Sequence, residues 1–78
     1  MHVALFVADG CGLCVAARES VESVCAELGL GYEVIGIDGD EELERRYRVS
    51  LPVVEIDGDR RFEFFVEPHD LRAALTGA

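Results

Sequence analysis

The chain has 78 residues, half of them hydrophobic and 29% charged, with seven arginines, no lysine, sixteen Asp or Glu and a net charge of −9. That is room for one domain over residues 1–78, with enough apolar material to fold. The lack of clustered positive charge excludes nucleic acid and an anionic membrane as partners, and the longest apolar run, residues 3–8, is too short to span a bilayer.

His2 is the only ionisable side chain ahead of that run, so the basic flank and small-residue cleavage site of a secretory leader are not seen and the expected compartment is the cytoplasm. Three cysteines, Cys11, Cys14 and Cys25, are an odd number for a reducing compartment. They point away from a disulfide framework and toward redox, metal or core roles.

In chain order, residues 2–8 read as a buried strand ended by Asp9-Gly10. Over residues 12–28 the period changes. Cys14, Ala17, Val21, Val24 and Leu28 recur at three- and four-residue steps with Arg18, Glu19, Glu22 and Glu27 between them, which predicts an amphipathic helix closed by Gly29 and Gly31. Residues 32–37 form a second strand. Residues 40–47 form a short helix, acidic at its start and basic at its end through Arg45, Arg46 and Arg48, as the helix dipole favours. A third strand covers residues 52–56. Asp57-Gly58 then signals a hairpin into a fourth strand over 61–66, where Phe62, Phe64 and Val66 share one face and Phe65 points beneath a helix. Pro68 opens a last helix running to Gly77. The first three strands, joined through helices, are expected to be parallel, and the fourth antiparallel. The fold class is α/β: a four-stranded mixed sheet with three helices in β-α-β-α-β-β-α order.

Cys11-Gly12-Leu13-Cys14 falls where the first strand meets the first helix. Residues three apart in a helix lie about 5 Å apart between α-carbons, within reach of a disulfide. Such a small ring stabilises by only about 2 kcal/mol in the chain-entropy model, so it suits exchange better than support. Cys11, at the helix N-terminus, has unpaired N–H groups and the helix dipole to favour its thiolate. Cys14, one turn in and on the apolar side, is the resolving sulfur, while the Asp9 carboxylate works against Cys11 ionisation. The CxxC also fits half a zinc site, with Cys25, His2 and His69 as the remaining candidates and no second close pair among them; two core cysteines are a further reading. Cys25 is about 16 Å along the helix from Cys14, cannot bridge to it, and reads as a small core hydrophobe.

A strand, a CxxC at a helix start, a Pro-initiated third strand and a hairpin together resemble the thioredoxin fold in its minimal glutaredoxin form. Arg48-Val49-Ser50-Leu51-Pro52-Val53-Val54-Glu55-Ile56-Asp57-Gly58 is similar to the glutaredoxin stretch that ends in Thr-Val-Pro and continues into an apolar strand and Asp-Gly. The resemblance covers essentially the whole chain and is to a small CxxC glutaredoxin-like subfamily lacking the Gly-Gly glutathione motif. It implies that Pro52 is a cis-proline against the cysteines. It also implies that Ser50, Leu51 and Pro52 form the substrate-binding loop, Leu51 offering its backbone as a short β-pairing. Phe65-Val66-Glu67-Pro68-His69-Asp70 stands where glutaredoxins carry Gly-Gly and an acidic residue. Without glycine, with one N–H removed by Pro68 and with Glu67 repelling a carboxylate, this stretch weighs against glutathione, which stays open as a thiol partner.

Arg18 and Arg48 are candidates for electrostatic support of the thiolate or of an anionic substrate; the plainer alternative pairs Arg18 with Glu22 and leaves Arg48 to the helix end. His69 reads as a surface residue. The expected function is a thiol–disulfide oxidoreductase reducing a protein or small-molecule disulfide through Cys11 and Cys14. It would be a monomer with no tightly bound cofactor or metal, re-reduced by a separate reductase or thiol donor. The alternatives are a non-catalytic binding or redox-sensing module and an iron–sulfur site through Cys11.

Overall fold

The computed structural model describes residues 1–77. Strand β1 (Val3–Val7) is followed by helix α1 (Gly12–Leu28), strand β2 (Glu33–Gly36), helix α2 (Glu41–Tyr47), a single 3-10 turn (Arg48–Ser50), strands β3 (Val53–Ile56) and β4 (Asp59–Glu63), and helix α3 (Pro68–Thr76). The sheet order is β2-β1-β3-β4.

The helices end where the local chemistry stops them. Gly29, at φ 69°, supplies the left-handed residue after α1, and the Leu30 N–H returns to the Cys25 carbonyl at 2.9 Å; this satisfies carbonyls the helix would leave orphaned. Asp40 caps α2 by accepting the Leu43 N–H at 3.1 Å, and Glu67 caps α3 by accepting the Asp70 N–H at 3.1 Å. Pro68 stands at the first position of α3, where a missing N–H costs nothing.

Strand direction departs from expectation. β1 and β2 are parallel, but β3 runs antiparallel to β1, with Phe6 opposite Val53 and Val3 opposite Ile56. The Ile37 N–H donates to the Val7 carbonyl at 2.9 Å, so the chain leaves β2 at the Val7 end of β1. β3 starts at that same end. Helix α2, seven residues and about 10 Å long, packs through Leu43 and Tyr47 on the face that carries Ala4, Phe6 and Val53 and does not carry the chain back to the Val3 end. A crossover helix dictates parallel strands only when it returns the chain to the starting end.

The fourth strand also departs. Asp57 (φ 52°) and Gly58 (φ 86°) make the two-residue turn, and β4 begins at once, at Asp59 opposite Ile56. Glu55 pairs with Arg60 and Val54 with Phe62, leaving Arg61 as an extra bulged residue. The bulge puts Phe62 against the α1/α3 side and leaves Arg60 on the other. β4 then ends at Glu63, because Phe64 adopts φ 65°. The Phe65 N–H turns back to the Glu63 carbonyl at 2.7 Å, closing a γ-turn about Phe64. The expected alternation of Phe62, Phe64 and Val66 is thus broken, and Phe65 is 73% exposed instead of lying beneath a helix.

Two apolar clusters sit on opposite faces of the sheet. Val3, Leu5, Val54 and Ile56 pack under α1 and α3 against Ala17, Val21, Val24, Cys25, Leu71 and Leu75. Ala4, Phe6 and Val53 face Ile37, Tyr47, Leu51 and Cys14. Cys25 is fully buried in the first cluster, and burial pushes its thiol pKa up.

Candidate active site

The β1–α1 junction places the cysteine pair. Cys11 is the N-cap of α1, extended at φ −87° and ψ 105°. The Cys14 N–H donates to its carbonyl at 3.2 Å. The two cysteines form a disulfide with α-carbons 5.3 Å apart. Their environments differ in the sense that exchange needs: Cys11 is partly exposed, whereas Cys14 is 5% exposed and packed in the cluster with Leu51 and Val53. No acidic side chain occupies the first turn of α1, so the N–H groups beyond Cys11 face no anion from their own helix.

Leu51 and Pro52 are buried, and the Leu51–Pro52 peptide is cis. Leu51 shares the apolar cluster that holds Cys14 and against which Cys11 packs, so the loop before β3 meets the cysteine turn. Ser50 is buried as well, its hydroxyl accepting from Arg60 Nη1 at 3.4 Å. Arg60 also donates to the Arg46 carbonyl at 3.0 Å and lies 5.0 Å from the centroid of the Tyr47 ring. Tyr47 stacks on Phe6 at 4.1 Å between centroids, and its hydroxyl donates to Glu55 Oε2. Burial, reinforced by the Glu55 hydrogen bond, pushes the Tyr47 pKa up and keeps the phenol neutral. This support beneath the site joins α2, β3 and β4 and depends on the Arg61 bulge, which no local pattern reveals.

The two candidate arginines part company. Arg48 is held by Asp38 Oδ1 at 3.0 Å and Glu44 Oε1 at 2.6 Å. Asp38 in turn accepts the Asp9 N–H at 2.8 Å. That N–H and then the Arg48 guanidinium hold the Asp38 carboxyl below its usual range. Arg48 thus ties the loop after β2 to α2 and to the loop before Cys11. Arg18 pairs with no carboxylate within 4 Å among the described residues, Glu22 included. It lines a concavity of about 270 Å³ together with Asp9, Gly10, Cys11, Cys14 and Asp38. Asp38 is the participant that sequence spacing missed; its signal was only the Asp-Gly-Asp turn after β2.

On the other side of the cysteine turn lies a second concavity of about 270 Å³, lined by Leu13, Ala16, Phe64, Phe65, Glu67 and Pro68. His69 is exposed at the start of α3. Among the described residues no three His, Cys, Asp or Glu side chains come together as a metal-holding group, and no helix is long and apolar enough to cross a membrane.

The glutaredoxin-like domain family (DUF836) matches residues 2–76. The chain belongs to this family. Among solved structures, the domain is similar to target protein XcR50 from X. campestris, 29% identical over 97% of each chain with a TM-score of 0.81. It is also similar to Fasciola hepatica thioredoxin, 27% identical over 97% of this chain and 78% of that one, TM-score 0.66. Thioredoxin 1 from Thermosipho africanus shares the fold at 17% identity, covering 99% and 92% of the two chains with a TM-score of 0.72. No curated protein matches. A thioredoxin-like fold carrying a CxxC pair supports a redox thiol–disulfide function.

Proposed function

We propose that this glutaredoxin-like domain reduces substrate disulfides by dithiol exchange. The Cys11 thiolate attacks one sulfur of a substrate disulfide, forming a Cys11 mixed disulfide and expelling the other substrate sulfur as a thiolate, which takes up a proton. Cys14 then gives up its proton, attacks the Cys11 sulfur and breaks the mixed disulfide. The second substrate sulfur leaves and is protonated. Two electrons pass from the dithiol to the substrate, and the Cys11–Cys14 disulfide remains. An external dithiol or pair of thiols restores the reduced form.

The observation that carries this reading is the asymmetry of the pair: a partly exposed Cys11 at the N-cap of α1, bonded to a buried Cys14. Helix N–H groups stabilise the first sulfur as an anion, and burial keeps the second protonated until a mixed disulfide forms beside it. Leu51 and Pro52 form the wall for the incoming sulfur, Ser50 holds that loop through Arg60, and Arg18, unpaired with a carboxylate among the described residues, lines the concavity beside both cysteines. Arg48 acts at one remove, by fixing Asp38 and through it the loop before Cys11. The odd cysteine count is in keeping with work in a reducing cytoplasm.

The α3 end of the site weighs against glutathione as the thiol partner. Glu67 already accepts the Asp70 N–H there, Pro68 contributes no donor, and the Glu67 carboxylate repels a second one. The test is a trapping experiment with a peptide disulfide. Cys14→Ser should accumulate a mixed disulfide on Cys11 that mass spectrometry detects, and Cys11→Ser should accumulate none. Multiple turnovers by the unaltered protein with a dithiol donor separate an oxidoreductase from a redox-sensing module, which would react once and stop.

A further inference from the structure

The concavity beside Leu13 is unlike the one beside Arg18. Its walls are almost wholly apolar, and two adjacent aromatics, Phe64 at 44% and Phe65 at 73% exposure, stand at its rim with Leu13 at 41%. Exposed neighbouring aromatics are a poor surface in water unless something covers them. They are also held in place by an unusual backbone. Phe64 sits at φ 65°, a region bulky residues avoid. Its N–H donates to the Pro52 carbonyl at 2.9 Å, which ties the aromatic turn to the loop that meets the cysteines. Leu13 belongs both to the cysteine turn and to the groove.

Among the described residues, Glu67 is the only charged residue lining this groove. Asp70 follows it on α3, and among the described residues neither carboxylate has an arginine or histidine partner within 4 Å. The chain as a whole carries −9.

We infer that this groove is a specificity site for polypeptide disulfides: it seats a bulky apolar side chain one or two residues from the substrate cysteine, with a Lys or Arg beyond it facing Glu67 and Asp70. The inference rests on the exchange chemistry proposed above. Successive α-carbons are about 3.8 Å apart, so a residue one or two positions from a cysteine bonded to Cys11 lies about 4–7 Å from it, and Leu13, two residues from Cys11 in the same turn, lines the groove. Charge complementarity selects the occupant. An acidic small thiol meets Glu67 in a groove that no arginine lines among the described residues, whereas a segment that is apolar next to its cysteine and basic beyond covers the aromatics and pairs with the carboxylates.

The test compares two short peptides, each with its cysteine disulfide-bonded to a fluorescent small thiol whose release is followed. One carries leucine beside the cysteine and arginine two positions on; the other carries glycine and glutamate there. The reduced protein should react about tenfold faster with the first, the scale of burying one apolar side chain. Phe65→Ser and Phe64→Gly, singly and more so together, should bring that ratio toward one. Glycine relieves the positive φ at position 64, so the second variant should keep the thermal midpoint of the parent. Equal rates for the two peptides, or a preference that survives both replacements, would overturn the groove assignment while leaving the exchange reaction standing. Failure of Cys11 to react with either peptide and with dipyridyl disulfide would overturn the exchange reading, and the groove with it.

Discussion

The two faces of the sheet differ in kind. Under α1 and α3 the cluster is apolar throughout, and even its cysteine is a buried, protonated thiol. Under α2 the cluster is threaded with polar handles, Tyr47 to Glu55 and Arg60 to Ser50, and it ends at Cys14. The first face supplies burial, which needs no direction. The second supplies position, because hydrogen bonds and a stacked ring hold the loop before β3 against the cysteine turn. The proposed exchange draws on the face with directional contacts, while the larger of the two apolar clusters lies on the other.

That contrast can be broken at several points. Cys11→Ser should reduce disulfide turnover to background, whereas Cys25→Ser should leave turnover in place. Its cost, about 1–3 kcal/mol for a hydroxyl buried without a designed partner, should appear only in denaturant unfolding. Leu5→Ala, at a position with no exposure, should cost about 2–5 kcal/mol of stability while the folded fraction keeps its exchange rate per molecule. Tyr47→Phe removes the hydroxyl from partly buried Glu55 and should cost about 1–2 kcal/mol. Unlike the Leu5 change, it should also slow mixed-disulfide resolution by loosening the Leu51 loop; stopped-flow kinetics of the reduced variant checks this.

The smallest expected effect is in acid. The folded-state pKa of Asp38 is depressed by the Asp9 N–H and by Arg48. Its stabilisation is therefore fully present above the ordinary aspartate pKa of about 4 and is lost as pH falls through the lower folded value. Thermal midpoints of the parent and Asp38→Asn should be offset at neutral pH and converge on acidification. The pair is exposed, so the offset should shrink in high salt.

The residues that were legible in the sequence are those whose signal is local. The α1 period and its glycine stop, the Asp57-Gly58 turn and Pro68 at the start of α3 each depend on a few neighbouring side chains, and so does the placement of Cys11 ahead of Cys14. The direction of β3 depended on where α2 delivers the chain, which a seven-residue amphipathic segment does not encode by itself. The Arg61 bulge and the left-handed Phe64 broke the period-two pattern of β4. As a result, Phe64 and Phe65 looked like sheet residues when they are the rim of a groove. The Tyr47, Glu55 and Arg60 contacts and the Asp38–Arg48 tie join distant segments, and only the folded chain brings them together.

The central claim, that the N-terminus of α1 activates Cys11, is tested most directly by titrating thiolate absorbance in the reduced protein, with Cys11→Ser as the reference. The account predicts an apparent Cys11 pKa clearly below the ordinary thiol value of about 8.5, together with turnover of a peptide disulfide in the same buffer. A value at or above that, with no turnover, would contradict it and leave a thioredoxin-fold binding module whose cysteine pair performs no exchange.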